Sequence, residues 1–116
     1  MASGRPGLKR GDVVTVAAGG GFGGKPRPGL IIQCDDYHDL PTVVVALFTI
    51  ELVKSSDLRR RVDPSEGNGL LVSSDLMTDV MITVRKDRIG KVIGSLSTED
   101  MARIDRALLV FLGLAG

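Results

Sequence analysis

The sequence has no tryptophan, a single cysteine and only 3% aromatic residues. One cysteine, Cys34, excludes an internal disulfide and suits a reducing compartment, so we expect a cytoplasmic protein. No apolar run approaches the length of a membrane span, and the first ten residues lack a signal-peptide core. The formal net charge is +1, from 15 basic and 14 acidic side chains. This balance excludes a protein that coats nucleic acid by bulk charge, and it leaves room for a local basic site.

The 116 residues predict a single domain whose residues 1–9 form a flexible arm. Apolar and β-branched residues favour strands at 12–18, 30–33, 42–49, 70–73 and 78–84, with a shorter one at 91–93. Residues 17–29 are predicted to form a glycine-rich loop, and residues 34–41 and 55–69 polar turns. Because the strands precede the one clear helix, the sequence predicts an α+β fold with a curled antiparallel sheet or small barrel.

The C-terminal segment carries the clearest helical pattern. Ser97 is predicted as the N-cap, and the acidic residues after it suit the positive end of the helix dipole. Gly113 is placed to end the helix. The apolar residues that follow helical spacing are Met101, Ile104, Leu108, Phe111 and Leu112. They predict an amphipathic helix that packs on the sheet through one face.

The glycine-rich loop resembles two phosphate-binding motifs but completes neither. Gly19, Gly21 and Gly24 have the spacing of a dinucleotide-binding loop, and the same stretch nearly fits a P-loop. Both motifs need a following helix whose N-terminal amides hold the phosphates. Pro26 and Pro28 exclude that helix. The loop is therefore predicted to be a mobile rim around a site and not a nucleotide cradle.

The polar turn at 34–41 offers metal-ligating and catalytic residue types without a matching pattern. Its cysteine, aspartates and His38 fit none of the zinc spacings, and there is no second ligand cluster. A lone histidine in a polar turn is more often solvated than part of a triad. The sequence therefore predicts neither a metal site nor a cofactor.

Four segments together resemble the PemK/MazF family of toxin ribonucleases. They are RGDV at 10–13, RPGLII at 27–32, VVVA at 43–46 leading to Thr49, and RIGKVIGSLS at 88–97. Their order and spacing, from about residue 9 to residue 114, carry the resemblance. It implies a small, SH3-like, mostly antiparallel β-barrel closed by the C-terminal helix. It also implies a homodimer that cleaves single-stranded RNA and is inhibited by a cognate antitoxin protein.

The resemblance assigns catalytic roles to three residues. Arg27 matches the family's arginine before proline, Thr49 its hydroxyl residue at the end of the third strand, and Asp79 an aspartate that many members carry. The chain departs from the family at Val80 and Ile82, where members carry glutamine and arginine. It departs again before Arg27, where Lys25 and Pro26 replace glutamate and histidine.

These residue types suit metal-free cleavage of RNA by its own ribose 2′-OH. The planar guanidinium of Arg27 can hold two phosphate oxygens, Thr49 can donate a hydrogen bond, and Asp79 is the candidate base. The expected products carry 2′,3′-cyclic phosphate and 5′-hydroxyl ends. The residues predicted to contact RNA by stacking or charge are Phe22, Lys25, Tyr37, Arg85 and Lys86. The basic run 59–61 either guides the RNA backbone or forms a solvated face.

Two other interpretations stay open at this point. One is a CcdB-like poison of DNA gyrase on the same fold, although this chain lacks the Trp-Gly-Ile end on which that group depends. The other is a member that keeps the fold and partner binding but has lost activity. Cleavage of labelled RNA, with and without a chelator, separates these alternatives from the ribonuclease.

Overall fold

The β-branched segments of the sequence form an antiparallel sheet in the computed structural model, which describes residues 7–17, 25–52 and 57–116. The six strands of these residues are β1 (Asp12–Val16), β2 (Arg27–Ile31), β3 (Thr42–Thr49), β4 (Arg59–Val62), β5 (Ser74–Arg85) and β6 (Ile89–Ser95). One long helix, α1, spans Thr98–Phe111. Single 3₁₀ turns lie at Asp35–Tyr37 and Lys86–Arg88. The coarse α+β prediction is confirmed. In the part of the chain that the structure describes, no helix could span a membrane, and the long helix α1 has only 14 residues.

The strand boundaries show where the apolar pattern was informative. The prediction for 42–49 is confirmed without change, because β3 is the apolar, largely buried strand at the middle of the sheet. The predicted strand at 70–73 is wrong, since β5 begins at Ser74 and runs for 12 residues. The prediction of a turn throughout 55–69 is also wrong, because the basic segment Arg59–Val62 forms β4. Edge strands tolerate charged side chains, so this strand has no apolar signature.

The sheet does not close into the barrel that the family resemblance implied. Its order is β4-β5-β3-β2-β1-β6, and in the described part of the chain the edge strands β4 and β6 do not pair with each other. The loop that follows β4 spans the gap instead. The backbone N–H of Ser95 on β6 donates to the carbonyl of Gly67 at 2.8 Å. A Cβ atom on Gly94 would collide with that carbonyl, so the close approach requires glycine there.

Asn68 holds this bridging loop in shape. Its side chain is buried, and its Oδ1 accepts from the backbone N–H groups of Ser65 at 3.0 Å and Leu70 at 2.9 Å. Its Nδ2 donates to the carbonyl of Asp63 at 2.9 Å. The amide side chain therefore satisfies loop backbone groups that would otherwise lack partners near the core.

The helix covers one face of the sheet and is capped as the sequence predicted. Ser97 Oγ accepts from the N–H of Asp100 at 3.1 Å, and Gly113 after the helix has a φ of 78°. Ile104 and Leu108 enter a core cluster with Phe48 and other sheet residues. A second buried cluster lies on the opposite side of the strands, and its members are Val14, Val16, Ile31, Val43, Val45, Leu47 and Ile89. The predicted helix stripe is only partly buried, because the last turn leaves its apolar residues exposed.

Candidate active site

A lateral row of polar side chains crosses four strands at one end of the sheet. Thr49, the last residue of β3, is paired with Asp75 on β5, and Asp75 is paired with Arg61 on β4. On the other side, the β2–β3 pairs end with Gly29 opposite Leu47, and Arg27 and Thr49 each lie two residues beyond that pair, at the same end of the sheet. Residues directly opposite in antiparallel strands project from the same face. The fold therefore sets Arg27, Thr49, Asp75 and Arg61 side by side.

The ends of the strands explain why this row is accessible. Arg27 begins β2 and Thr49 ends β3, and antiparallel strands bring these two termini to the same end of the sheet. The sequence predicted a loop at Arg27, but the residue is the first of a strand, and its side chain is exposed. A strand terminus fixes the backbone and still leaves a long side chain free to reach a ligand.

A surface cavity of about 360 Å³ opens at this end of the row. The residues that line it are Lys25, Pro26, Arg27, Pro28, Phe48, Thr49, Ile50 and Ser74. It is lined by both Arg27 and Thr49, two of the three residues with a sequence-based catalytic assignment. The Thr49 hydroxyl accepts from the N–H of Glu51 at 3.1 Å, which leaves its own proton available to donate. The cavity lining thus combines one guanidinium, one lysine and the hydroxyls of Thr49 and Ser74, a set suited to an anionic ligand.

Asp75 and Arg61 form an ion pair next to Thr49. The Arg61 Nε donates to Asp75 Oδ1 at 2.6 Å, and the Asp75 side chain is only 2% exposed whereas that of Arg61 is 45% exposed. This hydrogen bond raises the pKa of Arg61 above its ordinary value, against a smaller opposing effect of desolvation. Arg61 is therefore a permanent cation with a fixed Nε and an exposed outer edge.

Asp79 lies apart from the cavity. It is four residues beyond Asp75 along β5, at most about 13 Å for an extended strand, and it does not line the cavity. Arg59 Nε lies 3.6 Å from Asp79 Oδ1. Among the described residues that oxygen is buried and accepts no hydrogen bond. The structure thus brings Arg27 and Thr49 together and holds Asp79 beside a different arginine.

The residues predicted to contact RNA divide into separate groups. Lys25 lines the cavity, and Phe22 lies outside the described residues. Tyr37 and Arg85 are exposed at the opposite end of the sheet, since Arg85 pairs with Thr42 at the start of β3. Seven residue steps along β3 separate that end from Thr49, about 24 Å. Residues from these two ends do not share one cavity within this chain.

Lys86 has a structural contact in place of an exposed charge. Its side chain is buried and its ammonium donates to the carbonyl of His38, while its backbone N–H donates to the carbonyl of Pro41 at 2.9 Å. These bonds tie the polar turn after β2 to the turn between β5 and β6. Of these two neighbouring basic residues that were predicted to contact RNA, Arg85 is therefore exposed and Lys86 is buried.

Two functional candidates escaped the sequence analysis. Ser74 lines the cavity, and Asp75 stands between Thr49 and Arg61. Neither has a local signature, because their role depends on which residues the β3–β5 and β4–β5 registers set opposite them. Among the described residues, no group of three or more His, Cys, Asp or Glu side chains is arranged to hold a metal ion.

Comparison with known proteins adds evidence independent of this geometry. The model of the PemK-like, MazF-like toxins of type II toxin-antitoxin systems matches residues 9–112. The probable endoribonuclease MazF of Mycolicibacterium smegmatis is 45% identical over 109 residues, which cover 94% of this chain and 100% of the relative. A mycobacterial endoribonuclease solved in complex with its cognate antitoxin has a TM-score of 0.77 at 24% identity, covering 94% of this chain and 98% of that one. A MazE-MazF structure from Deinococcus radiodurans has a TM-score of 0.73 at 18% identity, covering 93% and 98%. The two structural likenesses show a shared fold.

Proposed function

The chain belongs to the PemK-like, MazF-like family of toxins of type II toxin-antitoxin systems, and on that premise we propose that it cleaves RNA at the cavity of Arg27 and Thr49. It is a toxin endoribonuclease of the MazF type, as its relative of 45% identity is described to be. The observation that carries the location is the shared cavity: Arg27 and Thr49, two of the three residues that the family resemblance assigned to catalysis, are 22 positions apart in the sequence and line the same surface pocket.

Arg27 is proposed to stabilise the charge that develops on the phosphate. Attack of the ribose 2′-oxygen on phosphorus forms the 2′ O–P bond and passes through a phosphorane with extra negative charge on its non-bridging oxygens. A guanidinium can hold two of these oxygens at once and stays protonated at every physiological pH. Such a preorganised donor is worth about 3–4 kcal/mol in the transition state. Its position at the start of β2 fixes where the phosphate lies.

Thr49 is proposed to donate its hydroxyl proton in a hydrogen bond to the same phosphate. Its oxygen already accepts from the Glu51 N–H, which orients the remaining O–H. Breakage of the P–O5′ bond then completes the step. The 2′-OH proton leaves, the 5′-oxygen gains a proton, and the products carry 2′,3′-cyclic phosphate and 5′-hydroxyl ends. The reaction consumes no metal, oxidant or external nucleophile.

The first test is cleavage of labelled single-stranded RNA by purified protein, in the presence and absence of EDTA. We expect cleavage in both, and Arg27→Ala is expected to lower kcat by a factor on the order of 10² to 10³. Replacing the ribose at the cut site with 2′-deoxyribose should abolish cleavage there. A wild-type protein that leaves RNA intact would support the inactive-member alternative, and cleavage at the deoxy position would refute attack by the 2′-OH.

The chemistry of the residue types made Asp79 the candidate base, and we propose a test of that assignment. A base must come within hydrogen-bond reach of the 2′-OH, directly or through one water. Asp79 instead faces Arg59 across 3.6 Å, outside the cavity. We expect Asp79→Asn to lower kcat less than tenfold and to leave the acid limb of the pH–kcat profile in place. A large drop in kcat together with loss of that limb would instead support Asp79 as the base.

We further propose that the partners of this chain are a cognate antitoxin and a second copy of itself, acting in the cytoplasm. The structural neighbours include a toxin in complex with its cognate antitoxin, which supports the first partner. Exposed apolar side chains on the last turn of α1, Leu109 to Leu112, are compatible with a protein-covered surface. Sedimentation of the purified chain alone and with its antitoxin measures both associations.

A further inference from the structure

The Asp75–Arg61 pair stands next to the catalytic residues but has no part in the reaction described above. Asp75 is directly opposite Thr49, and Arg61 is directly opposite Asp75. Adjacent strands lie about 4.8 Å apart, so Arg61 is roughly 14 Å from Arg27, three strand spacings along the same row. This is a separation between backbones, and because Asp75 holds the Arg61 guanidinium through its Nε, the two arginine side chains are not set to converge on one phosphate. It suits contacts to different phosphates of one RNA strand.

The pair is asymmetric in its burial. The Asp75 carboxylate is 2% exposed, whereas Arg61 is 45% exposed and offers its outer edge to solvent. Asp75 occupies the Nε–H of Arg61 at 2.6 Å, and an arginine carries four further N–H donors on its terminal nitrogens. A buried acceptor on one side and exposed donors on the other fix the direction of the guanidinium. This arrangement suits a cation that is held ready for an external anion.

We propose that Arg61 is a second phosphate-binding residue for the RNA substrate, and that Asp75 is the positioning residue that aims it. The proposal rests on the proposed ribonuclease function, because the path of the RNA is traced from the scissile phosphate at Arg27 and Thr49. An RNA that crosses the end of the sheet along the row passes Asp75 and reaches Arg61. Arg61 then contributes to binding and register but not to the bond-breaking step.

The neighbouring Arg60 provides a matched control. It belongs to the same strand, and alternation along a strand directs it to the other face. There it lines a surface pocket with Ala102, Arg103 and Arg106 of α1. Arg60→Gln therefore removes the same charge from the same strand without touching the row.

The experiment measures kcat and KM of the full-length protein at several salt concentrations, with a long RNA and with a short one that spans only the cut site. Arg61→Gln is expected to raise KM for the long RNA about tenfold while kcat is kept. The slope of log affinity against log salt should fall by about 0.7, the value for one phosphate contact on a single strand. The KM effect should shrink with the short RNA, and Arg60→Gln should show neither change.

Asp75→Asn distinguishes the contribution of the Arg61 charge to RNA binding from the contribution of the orientation of its guanidinium. This variant keeps the guanidinium charge but removes the ionic anchor, so KM should rise by a few-fold while the salt slope stays near that of the wild type. If Arg61→Gln fails to fold because it leaves Asp75 charged and buried, Arg61→Gln combined with Asp75→Asn removes both charges, and it should show the same loss of slope.

Unchanged KM and salt slope in a folded Arg61→Gln protein, or in the double variant, would overturn the proposal and leave the ion pair as a structural contact. Changes of KM and salt slope of equal size in Arg60→Gln would also overturn the proposal, because they would show that any positive charge on β4 contributes equally to RNA binding. Arg27→Ala keeps this test separate from the proposed function. If that variant cleaves like the wild type, the catalytic site is misassigned; if it is inactive while the Arg61 variants behave normally, only the second phosphate contact fails.

Discussion

Replacing Asn68 with alanine tests whether the bridging loop, rather than strand pairing, holds β4 and β6 together. The substitution removes three hydrogen bonds, to the N–H groups of Ser65 and Leu70 and to the carbonyl of Asp63. The hydrogen bond from the Leu70 N–H is buried, so this N–H loses its acceptor and gains no water in exchange. The Ser65 N–H and the Asp63 carbonyl make partly buried bonds. At about 1 kcal/mol for each of the three bonds, the cost is about 3 kcal/mol.

A loss of about 3 kcal/mol is a large part of the roughly 5–15 kcal/mol that stabilises a domain of ordinary size. It corresponds to a drop in Tm of about 12 °C for a chain of this length. Urea denaturation followed by circular dichroism measures the change, with an unchanged m-value as the sign that the same surface is exposed. Ser73→Ala is the control in the same loop, since it removes one exposed bond to Asp63 and should cost less than about 0.5 kcal/mol.

A cost below about 1 kcal/mol for Asn68→Ala would refute this reasoning. It would mean that the loop backbone is hydrated or repacks without the amide, so that the gap between the sheet edges is held by other contacts. A full loss of folded protein would be explained by the same reasoning with a larger penalty. Lowering the growth temperature should then recover a folded variant with a reduced midpoint.

Two further substitutions test the site and the bridge. Thr49→Val keeps the shape of the side chain but removes the hydroxyl, so kcat for RNA should fall about tenfold or more at unchanged Tm, whereas Thr49→Ser should retain most activity. Gly94→Ala places a methyl group against the carbonyl of Gly67, so the loop must move away from β6 and Tm should fall; an unchanged Tm would contradict the close approach of loop and strand.

The local elements of the fold could be predicted wherever residues interact with near neighbours along the chain. The β-branched run at 42–49 is buried on the central strand, and the Ser97 cap and Gly113 stop bound α1 within a residue of expectation. Prediction failed for the basic strand β4, whose signal is pairing to β5 and not hydrophobicity. It failed also for barrel closure, because the edge of β6 is met by a loop held by one buried asparagine.

The candidate site likewise combines residues that could be predicted from the sequence with residues that only the fold places beside them. The family resemblance singled out Arg27, Thr49 and Asp79, of which the first two line one cavity. It gave no means of seeing Asp75 or Arg61 beside them. The charge pattern predicted that both Arg85 and Lys86 contact RNA, although Arg85 is exposed and Lys86 is buried. Burial of a charged side chain depends on which loop covers it, and a linear pattern does not contain that information.

The sequence by itself determined the α+β class, the central strand, the capped helix and the family, because these depend on local propensity, on short-range periodicity and on the order of short motifs. Only the tertiary structure decided that Arg27, Thr49, Asp75 and Arg61 form one row at the end of the sheet. Strand register is the physical reason. A shift of one residue in any of these strand pairings would turn a side chain to the opposite face, and register is set by packing across the whole sheet.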